Sequence, residues 1–182
     1  MKLKKPFFWD CKKPTFFSYL LFPLSLITML ISNTKKRLTK KYSNIKTICV
    51  GNIYIGGTGK TPIAIELNKI FQNLNYNTCF IKKYYAEQID EQKILAISGN
   101  LFCEKKRIRA LNKAINKNHN LAIFDDGLQD GSISYDLTFV CFNIKNWVGN
   151  GFLIPAGPLR ENLNNLKNYD GVFLNGNKEN CE

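Results

Sequence analysis

The part of the sequence that points most directly to chemistry is a glycine-rich turn at residues 56–61, which reads Gly-Gly-Thr-Gly-Lys-Thr. The strand-like run Ile48–Val50 precedes it, and a helical pattern follows it. Loops of this kind hold nucleotide phosphates with backbone N–H groups and with the N-terminus of a helix. Lys60 would reach the β- and γ-phosphates, and the Thr61 hydroxyl would ligate Mg²⁺. The alternative is an ordinary glycine-rich turn between a strand and a helix.

The turn departs from the usual P-loop pattern at one position, because a tyrosine stands where the first glycine is expected. Glycine is needed where the backbone takes a positive φ or must approach a ligand closely. Three glycines in four residues, directly after a strand pattern, meet that need. The predicted loop for nucleotide phosphates therefore consists of Tyr54, Ile55, Gly56, Gly57, Thr58, Gly59, Lys60 and Thr61.

A second chemical signal is a pair of aspartates, Asp125 and Asp126, directly after the apolar run Leu121–Phe124. P-loop enzymes hold Mg²⁺ with an aspartate at the end of a hydrophobic strand. Ligands of open α/β sheets lie at the carboxyl ends of the strands, so we expect both side chains beside the P-loop. The alternative is a turn or a helix start, where aspartate is common for local reasons. With Gly-Lys-Thr upstream, the sequence favours a magnesium site.

A third signal is the loop at residues 149–161, where glycines and prolines precede the pair Arg160-Glu161. An arginine near a transferring phosphoryl group stabilises the charge that develops in the transition state. Taken alone, the loop is more typical of a rigid connector with a solvated ion pair. The pair Asp90-Glu91 alone indicates a solvated charged turn, and His119 is predicted to be an exposed loop residue because its neighbours are polar.

The elements that must position these residues follow an α/β pattern. The predicted strands are residues 45–50, 78–81, 93–98, 121–124, 137–142 and 172–174, and the predicted helices are residues 61–74 and 105–116. Alternating strands and helices imply a mostly parallel sheet with helices on both faces, as in P-loop NTPases. The chain of 182 residues is long enough for one such domain, which we place at residues 45–182.

Residues 1–44 form a basic and aromatic segment with a different character. Of the net charge of +12, residues 1–46 carry +10, and the uncharged apolar run Phe16–Ile31 lies between their two basic clusters. The pattern favours a helix that lies partly in the inner leaflet of a membrane. A short membrane-spanning helix and a buried soluble helix are the alternatives. The basic flanks would face the cytoplasm and attract anionic lipid, and the apolar run argues against a nucleic-acid partner.

The six cysteines form no C-x-x-C pair, and three of them lie in apolar strand-like runs. This usage indicates reduced, buried thiols in a protein that faces the cytosol, rather than a disulfide framework or a zinc site.

Taken together, these stretches resemble the tetraacyldisaccharide 4′-kinase family, the lipid A 4′-kinases of Gram-negative bacteria. The resemblance runs over nearly the whole chain, and its most specific parts are Asp-Asp-Gly-Leu-Gln at residues 125–129 and Pro-Ala-Gly-Pro-Leu-Arg-Glu at residues 155–161. Family members also lack the first Walker glycine. Other matching stretches are residues 6–9, 50–52, 56–62, 90–91, 149–151 and 175–176.

The resemblance implies ATP-dependent phosphorylation of the 4′-hydroxyl of a tetraacylated glucosamine disaccharide 1-phosphate, at the cytoplasmic face of the bacterial inner membrane. It implies that residues 56–61 bind ATP and that Asp90 is the general base. It places Asp125, Asp126 and Gln129 in the Mg²⁺ site, and Arg160 and Glu161 in the phosphate and metal shell.

Several positions depart from the family pattern. Lys82-Lys83-Tyr84 stands where Arg-Gly-Tyr is usual, Ile89 replaces a glycine, and Phe152 replaces a residue that is often basic. Family members also continue into a second α/β half with a histidine thought to pair with the catalytic aspartate, and His119 does not match its position. The alternative to a lipid kinase is therefore a membrane-associated P-loop NTPase or nucleotide-binding protein without lipid kinase activity.

Overall fold

The computed structural model describes residues 5–35 and 40–176. Its four α-helices in these ranges are α1 (Phe16–Lys35), α2 (Lys60–Asn73), α3 (Ile89–Ser98) and α4 (Arg107–Asn116). The strands in the same ranges are β1 (Lys40–Lys41), β2 (Lys46–Gly51), β3 (Thr78–Lys83), β4 (Leu101–Glu104), β5 (Leu121–Asp125), β6 (Ile133–Ser134), β7 (Leu137–Asn143) and β8 (Gly171–Asn175).

The main sheet has six strands in the order β4-β3-β5-β2-β7-β8, and every neighbouring pair is parallel. The central strands β3, β5 and β2 are almost wholly buried, as expected for a parallel sheet with both faces covered. The short strands β1 and β6 form a separate parallel pair. The predicted mostly parallel α/β fold is confirmed.

Two apolar clusters show that helices cover both faces of the sheet. On one face, Ala110, Leu111 and Ala114 of α4 pack with β-strand residues that include Ile81 and Phe124. On the other face, Ala64 of α2 and Leu95 of α3 pack with strand residues of the opposite side, Ile48, Val50, Phe80 and Ile123. Because side chains alternate along each strand, neighbouring residues such as Ile123 and Phe124 enter different clusters.

One predicted element was wrong, because residues 93–98 belong to helix α3 rather than to a strand. The run contains Ile94, Leu95 and Ile97, and a short apolar run does not distinguish a strand from a helix. Only Leu95 of these three side chains is buried. This is expected in a helix, where neighbouring residues point in different directions and only one face meets the core. Gly99 follows the helix, and the strand of this crossover is β4, at the edge of the sheet.

The prediction for His119 was also wrong, because this side chain is buried. Its ring packs edge-on against Phe102, with 5.4 Å between the centroids. The backbone of Asn118 has a φ of 60°, so the chain reverses after α4 and turns the histidine onto the sheet. Local polar composition gave no sign of this reversal.

Helix α1 lies against the loop that follows β7. Ser25 Oγ donates to the carbonyl of Leu153 at 2.8 Å, and Thr28 Oγ1 donates to the carbonyl of Ile154 at 2.6 Å. Asn150 Nδ2 donates to Ser18 Oγ at 2.9 Å. These three hydroxyl residues of α1 and their loop partners are called the hydroxyl seam below.

Most other side chains of α1 between Phe16 and Ile31 are apolar and exposed, unlike those of a helix buried in a core. The exposed side chains are Phe16, Phe17, Tyr19, Leu20, Phe22, Leu24, Leu26, Ile27, Leu30 and Ile31. Among the helices of residues 5–35 and 40–176, none is long and apolar enough to traverse a bilayer.

Candidate active site

The register of the sheet brings the two predicted site loops to the same edge. Val50, the penultimate residue of β2, pairs with Asp125 at the end of β5. The N–H of Asp126 then donates to the carbonyl of Val50 at 2.8 Å. Since both strands are parallel, the glycine-rich loop after β2 and the aspartates after β5 leave the sheet side by side.

The glycine-rich loop ends in the N-terminus of α2, which begins at Lys60. Gly59 is the N-cap residue with a φ of +83°, and a Cβ there would lie 2.5 Å from Asn175 Nδ2. The positive φ favours glycine here, and a larger residue would also have to displace the Asn175 side chain. Asn52 Nδ2 donates to the carbonyl of Gly56 at 3.1 Å, and this hydrogen bond holds the loop to the residue that follows β2. The result is an open turn in front of a helix N-terminus.

Tyr54, at the position of the absent Walker glycine, has a buried side chain whose ring lies close to the loop, since a Cβ at Gly56 would be 3.6 Å from its Cε1 atom. The phenol is buried, donates to Asp10 and accepts from Lys5. Burial and the Asp10 carboxylate raise the pKa of this phenol above its ordinary value. The backbone of Tyr54 forms a bridge with Leu159. The Tyr54 side chain therefore connects the predicted phosphate loop to the N-terminal segment through Asp10 and Lys5.

Thr61 and Asp125 meet at the centre of the site. The Thr61 hydroxyl donates to Asp125 Oδ2 at 3.2 Å, although the two residues are 64 positions apart. Asp125 is completely buried, and its Oδ1 has no hydrogen-bond partner among the described residues. A buried carboxylate oxygen without a donor is unusual and marks a place for a ligand or cation.

Lys82 also contacts this carboxylate. Its Nζ lies 2.5 Å from Asp125 Oδ2 and 2.7 Å from Glu91 Oε2. Burial opposes the charge on the ammonium, but the two carboxylates outweigh burial and raise the pKa of Lys82 above its ordinary value. In the sequence, Lys82 stands out only as a departure from the family pattern. The available signal was a lysine at the carboxyl end of a buried strand.

Asp126 and Arg160 form an ion pair beside Asp125. Arg160 Nη1 lies 3.3 Å from Asp126 Oδ1 and donates to Gln129 Oε1 at 3.1 Å. The backbone of Asp126 has a φ of 61°, so the chain turns sharply after β5 and separates the two aspartates. The N–H of Arg160 donates to the carbonyl of Ile53 at 2.7 Å, which fastens the arginine to the glycine-rich loop.

Glu161 is buried behind this pair. Its carboxylate accepts from the Tyr169 hydroxyl at 2.9 Å, from Asn165 Nδ2 at 3.3 Å and from Gln129 Nε2 at 3.4 Å. The residues described here contain no group of three or more histidine, cysteine or acidic side chains that could hold a metal ion. The predicted set of Asp125, Asp126 and Glu161 therefore does not form one metal cluster, because Arg160 and Tyr169 engage the second and third acids.

The pair of Thr61 and Asp125 nevertheless fits Mg²⁺. This ion is usually held by one or two protein oxygen ligands together with substrate phosphates and water, not by a complete protein cage. A hydroxyl next to a buried, partly unpaired carboxylate, in front of a helix N-terminus, supplies such ligands. Gln129 donates to the carbonyl of Asn52 at 2.9 Å, so its role here is to connect the β5 loop to the β2 loop.

Asp90 lies in the first turn of α3 and is exposed. Its carboxylate has no hydrogen bond or ion pair within the described part of the chain. Glu91, the next residue, reaches the Asp125 carboxylate through Lys82. The first turn of α3 is therefore attached to the same edge of the sheet as the glycine-rich loop. The role of Asp90 as a general base stays a prediction.

Arg107 was missed by the sequence analysis. It is the first residue of α4 and is buried, and its guanidinium donates to the carbonyl of Asp126 and to Asp130 Oδ2, the latter at 3.2 Å. Burial raises the pKa of Asp130, but hydrogen bonds from Ser132 and the charge of Arg107 outweigh it and hold the pKa below its usual value. Nothing in the local pattern of a basic helix distinguished Arg107 from its basic neighbours.

A cleft of about 790 Å³ opens next to these residues. It joins the hydroxyl seam of α1 to the ion pair of Asp126 and Arg160, and it contains three cationic side chains. The lining residues are Thr28, Lys83, Tyr85, Gln88, Arg107, Asp126, Gln129, Asp130, Gly131, Ile154 and Arg160. The cleft is thus suited to a polar, anionic ligand that also approaches α1.

Comparisons with known proteins point to one enzyme family. The family model described as tetraacyldisaccharide-1-P 4′-kinase matches residues 17–100 and 87–182. A tetraacyldisaccharide 4′-kinase of Pelagibacter ubique is 62% identical over 98% of this chain and 57% of its own length. The protein of the same name from Rickettsia felis is 35% identical over 96% of this chain and 58% of its own length.

A solved structure is similar in fold. It is the crystal structure of the "apo" form of LpxK from Aquifex aeolicus in complex with ATP, with a TM-score of 0.72 and 24% sequence identity. The match covers 86% of this chain and 58% of that chain. The chain therefore spans somewhat more than half the length of the relatives that it matches.

Proposed function

Because the chain belongs to the tetraacyldisaccharide-1-P 4′-kinase family, we propose that it carries the phosphoryl-transfer site of a lipid A 4′-kinase. The reaction would move the γ-phosphoryl group of ATP to the 4′-hydroxyl of a tetraacylated glucosamine disaccharide 1-phosphate. The observation that supports this most directly is the contact of Thr61 with the buried Asp125, 3.2 Å apart in front of α2. It joins a phosphate-binding turn to a carboxylate suited to Mg²⁺.

The described residues have distinct tasks in such a transfer. The N-terminus of α2 and Lys60 would bind the phosphates, and Thr61 and Asp125 would hold Mg²⁺. When bound, this ion supplies charge neutralisation on the phosphate oxygens. Arg160, which is held by Asp126 and Gln129, would stabilise negative charge on the transferred group. Asp90 would accept the proton of the acceptor hydroxyl.

The cleft beside Asp126 is the proposed site of the acceptor. Lys83, Arg107 and Arg160 provide positive charge for a phosphorylated sugar, and Tyr85 provides an aromatic surface. Thr28 of α1 lines the same cleft, so a lipid headgroup there would have its acyl chains near the exposed apolar side chains of α1. We place the protein at the cytoplasmic face of the bacterial inner membrane, with anionic lipids around the basic N-terminal segment.

The test compares the 182-residue chain with Lys60→Ala and Asp125→Asn variants, using labelled ATP and the disaccharide lipid in detergent micelles. We expect each variant to lose at least about a hundredfold in transfer rate, because each removes charge compensation in the transition state. Lys69→Ala is the matched control, since Lys69 is an exposed lysine of α2 that pairs only with Glu66 among the described residues.

Nucleotide affinity is measured on the same proteins by calorimetry. Unchanged transfer by Lys60→Ala would contradict the assignment. Binding of ATP by the unmodified chain without any transfer to the lipid would favour the nucleotide-binding alternative, against which family membership argues.

A further inference from the structure

Lys82 occupies a place in the site that the proposed reaction does not explain. Its side chain is only 3% exposed, and it ends between two carboxylates from different elements. Asp125 belongs to β5 and is fully buried, whereas the Glu91 side chain on α3 is 49% exposed. A buried ammonium is stable only when its charge is compensated, and here two acids share that task.

The contact with Asp125 uses the oxygen that also faces the glycine-rich loop. Both Lys82 Nζ and Thr61 Oγ1 lie within hydrogen-bond distance of Asp125 Oδ2, at 2.5 and 3.2 Å. The other oxygen, Oδ1, has no partner among the described residues. A divalent cation held by Thr61 and Asp125 would therefore lie within a few ångströms of an ammonium group, and two cations at that separation repel strongly.

We propose that Lys82 is a positioning residue that competes with the metal for Asp125, and that Glu91 relieves this competition by holding the ammonium when the metal is bound. The proposal rests on the Mg²⁺–ATP site proposed above. In the absence of metal, Lys82 compensates the buried Asp125. With a cation on Asp125, the ammonium stays paired with Glu91 alone, 2.7 Å away in the present structure.

The chemistry of lysine suits this exchange. An ammonium on a four-carbon stem is a compact charge with three donors, and it can turn from one carboxylate to another about a flexible chain. A planar guanidinium tends to hold a carboxylate with two parallel bonds and gives it up less readily. Glu91 is half-exposed, so it can accept the whole charge without a large desolvation cost.

The test measures the affinity of Mn²⁺, as a spectroscopic substitute for Mg²⁺, in the presence of ATP by electron paramagnetic resonance of the free ion. We expect Lys82→Met to bind Mn²⁺ about tenfold more tightly, because it removes a cation next to the site. We expect Glu91→Gln to bind about tenfold more weakly, because the ammonium then remains on Asp125. Lys82→Arg should bind Mn²⁺ more weakly than the unmodified chain, because a guanidinium releases the Asp125 carboxylate less readily than an ammonium does.

The double variant, Lys82→Met with Glu91→Gln, tests whether Glu91 acts by holding the Lys82 ammonium or only by adding negative charge near the metal. If Glu91 acts through Lys82, then Glu91→Gln has little effect in the Lys82→Met background, and the two changes are strongly non-additive. Lys113→Met is the control, because Lys113 forms an exposed ion pair with Glu104 on the outer strand β4. Its Mn²⁺ affinity should not change.

Four outcomes overturn the proposal. Unchanged or weaker Mn²⁺ binding by Lys82→Met contradicts the competition, and additive effects contradict the role of Glu91. If Lys82→Met does not fold, Glu91→Gln decides, and unchanged binding by that variant is a negative result. If neither the unmodified chain nor Lys113→Met binds Mn²⁺ and ATP, the proposed function fails and this inference fails with it.

Discussion

Asp136 fastens the beginning of β2 to the beginning of β7. Its Oδ2 accepts from the Thr47 N–H at 2.9 Å and from the Thr47 hydroxyl at 3.0 Å, and Lys41 Nζ lies 3.3 Å from its Oδ1. Burial raises the pKa of this carboxyl, but the bonds from Thr47 and the charge of Lys41 outweigh burial and hold the pKa below 3.8. The ionised form is thus favoured by folding.

This shift predicts how Asp136→Asn changes the pH dependence of stability. A carboxyl whose pKa is lowered on folding contributes stability above its unfolded pKa and loses that stability as the pH falls through the folded pKa. We expect the variant to be less stable than the unmodified chain by about 1 kcal/mol near pH 6, with the difference vanishing near pH 2. Urea unfolding at both pH values measures it.

Glu87→Gln is the control for that measurement. Glu87 is exposed and makes no ion pair in the part of the chain that the structure describes, so its replacement should leave the unfolding free energy within about 0.5 kcal/mol at either pH. An equal loss in Asp136→Asn at both pH values would contradict the argument from ionisation.

At this scale, residue type and spacing predicted the phosphate loop and the strand-end aspartate, and Thr61 and Asp125 do meet. Lys82 and Arg107 were not found, because their function in the site depends on partners 43 and 19 positions away. The residues that neighbour a lysine or an arginine in the sequence do not indicate which carboxylate it will contact in the fold. The predicted roles of Asp126 and Glu161 at a metal ion stay predictions, and in this structure Arg160 contacts the first and Tyr169 the second.

Among the elements, α1 has the most unusual interface. Its contact with the loop after β7 relies on hydroxyl groups, and Ser25 also accepts from the N–H of Ala156 at 3.2 Å. Ser25 is buried, so water could not replace its hydroxyl if that group were removed. The Leu153 carbonyl and the Ala156 N–H would then lose a hydrogen-bond partner without compensation. The hydroxyl seam therefore holds the helix more firmly than its apolar and exposed character suggests.

We predict that the double change Ser25→Ala and Thr28→Val destabilises the attachment of α1. Each change removes a donor to a loop carbonyl, so together they should cost about 2 kcal/mol. Hydrogen exchange followed by mass spectrometry should show faster exchange in residues 16–35, with little change in the central strands. Leu30→Ala, on the exposed side of the same helix, is the control and should alter exchange very little.

Unchanged exchange in the double variant would show that apolar contacts, such as those of Tyr19 and Phe22 with Phe152, hold the helix instead. The seam could have been predicted, because Ser18, Ser25 and Thr28 are seven and three residues apart and so lie on one face of a helix. For α3 the difficulty was different, since a short apolar run suits either a helix or a strand.

For the molecule as a whole, the alternation of segments predicted a parallel sheet covered on both faces, and the observed strand order agrees with it. The prediction succeeded because central strands of such a sheet are continuous apolar runs, which are visible in any sequence. The position of the edge strand β4 was missed, since it is only partly buried and lacks such a run. The division of the chain at residue 44 stays a prediction.

The buried sheet also predicts the reactivity of the thiols. Burial raises the pKa of Cys79 and of Cys141 to about 12, and it raises the pKa of Cys49 further. Since the thiolate is the reactive form, these three should resist alkylation in the native protein, whereas Cys11 reacts readily and Cys103 more slowly. Peptide mapping after timed treatment with iodoacetamide measures this, and treatment in urea, which should label all five, is the control.

Rapid labelling of Cys141 in the native protein would contradict this prediction, because its thiol lies in the buried cluster that α2 and α3 cover. Cys181 lies outside the described residues and does not enter this comparison.

The hydroxyl seam also bears on how the cleft is held relative to any surface that receives the apolar side of α1. A flexible linker would allow the distance between the cleft and that surface to vary. A helix that is hydrogen-bonded to the loop before Arg160 keeps this distance fixed. Another apolar helix in place of residues 16–35 would need to reproduce the three hydroxyl positions as well as the hydrophobicity. Ser18, Ser25 and Thr28 thus make α1 difficult to replace by a generic apolar helix.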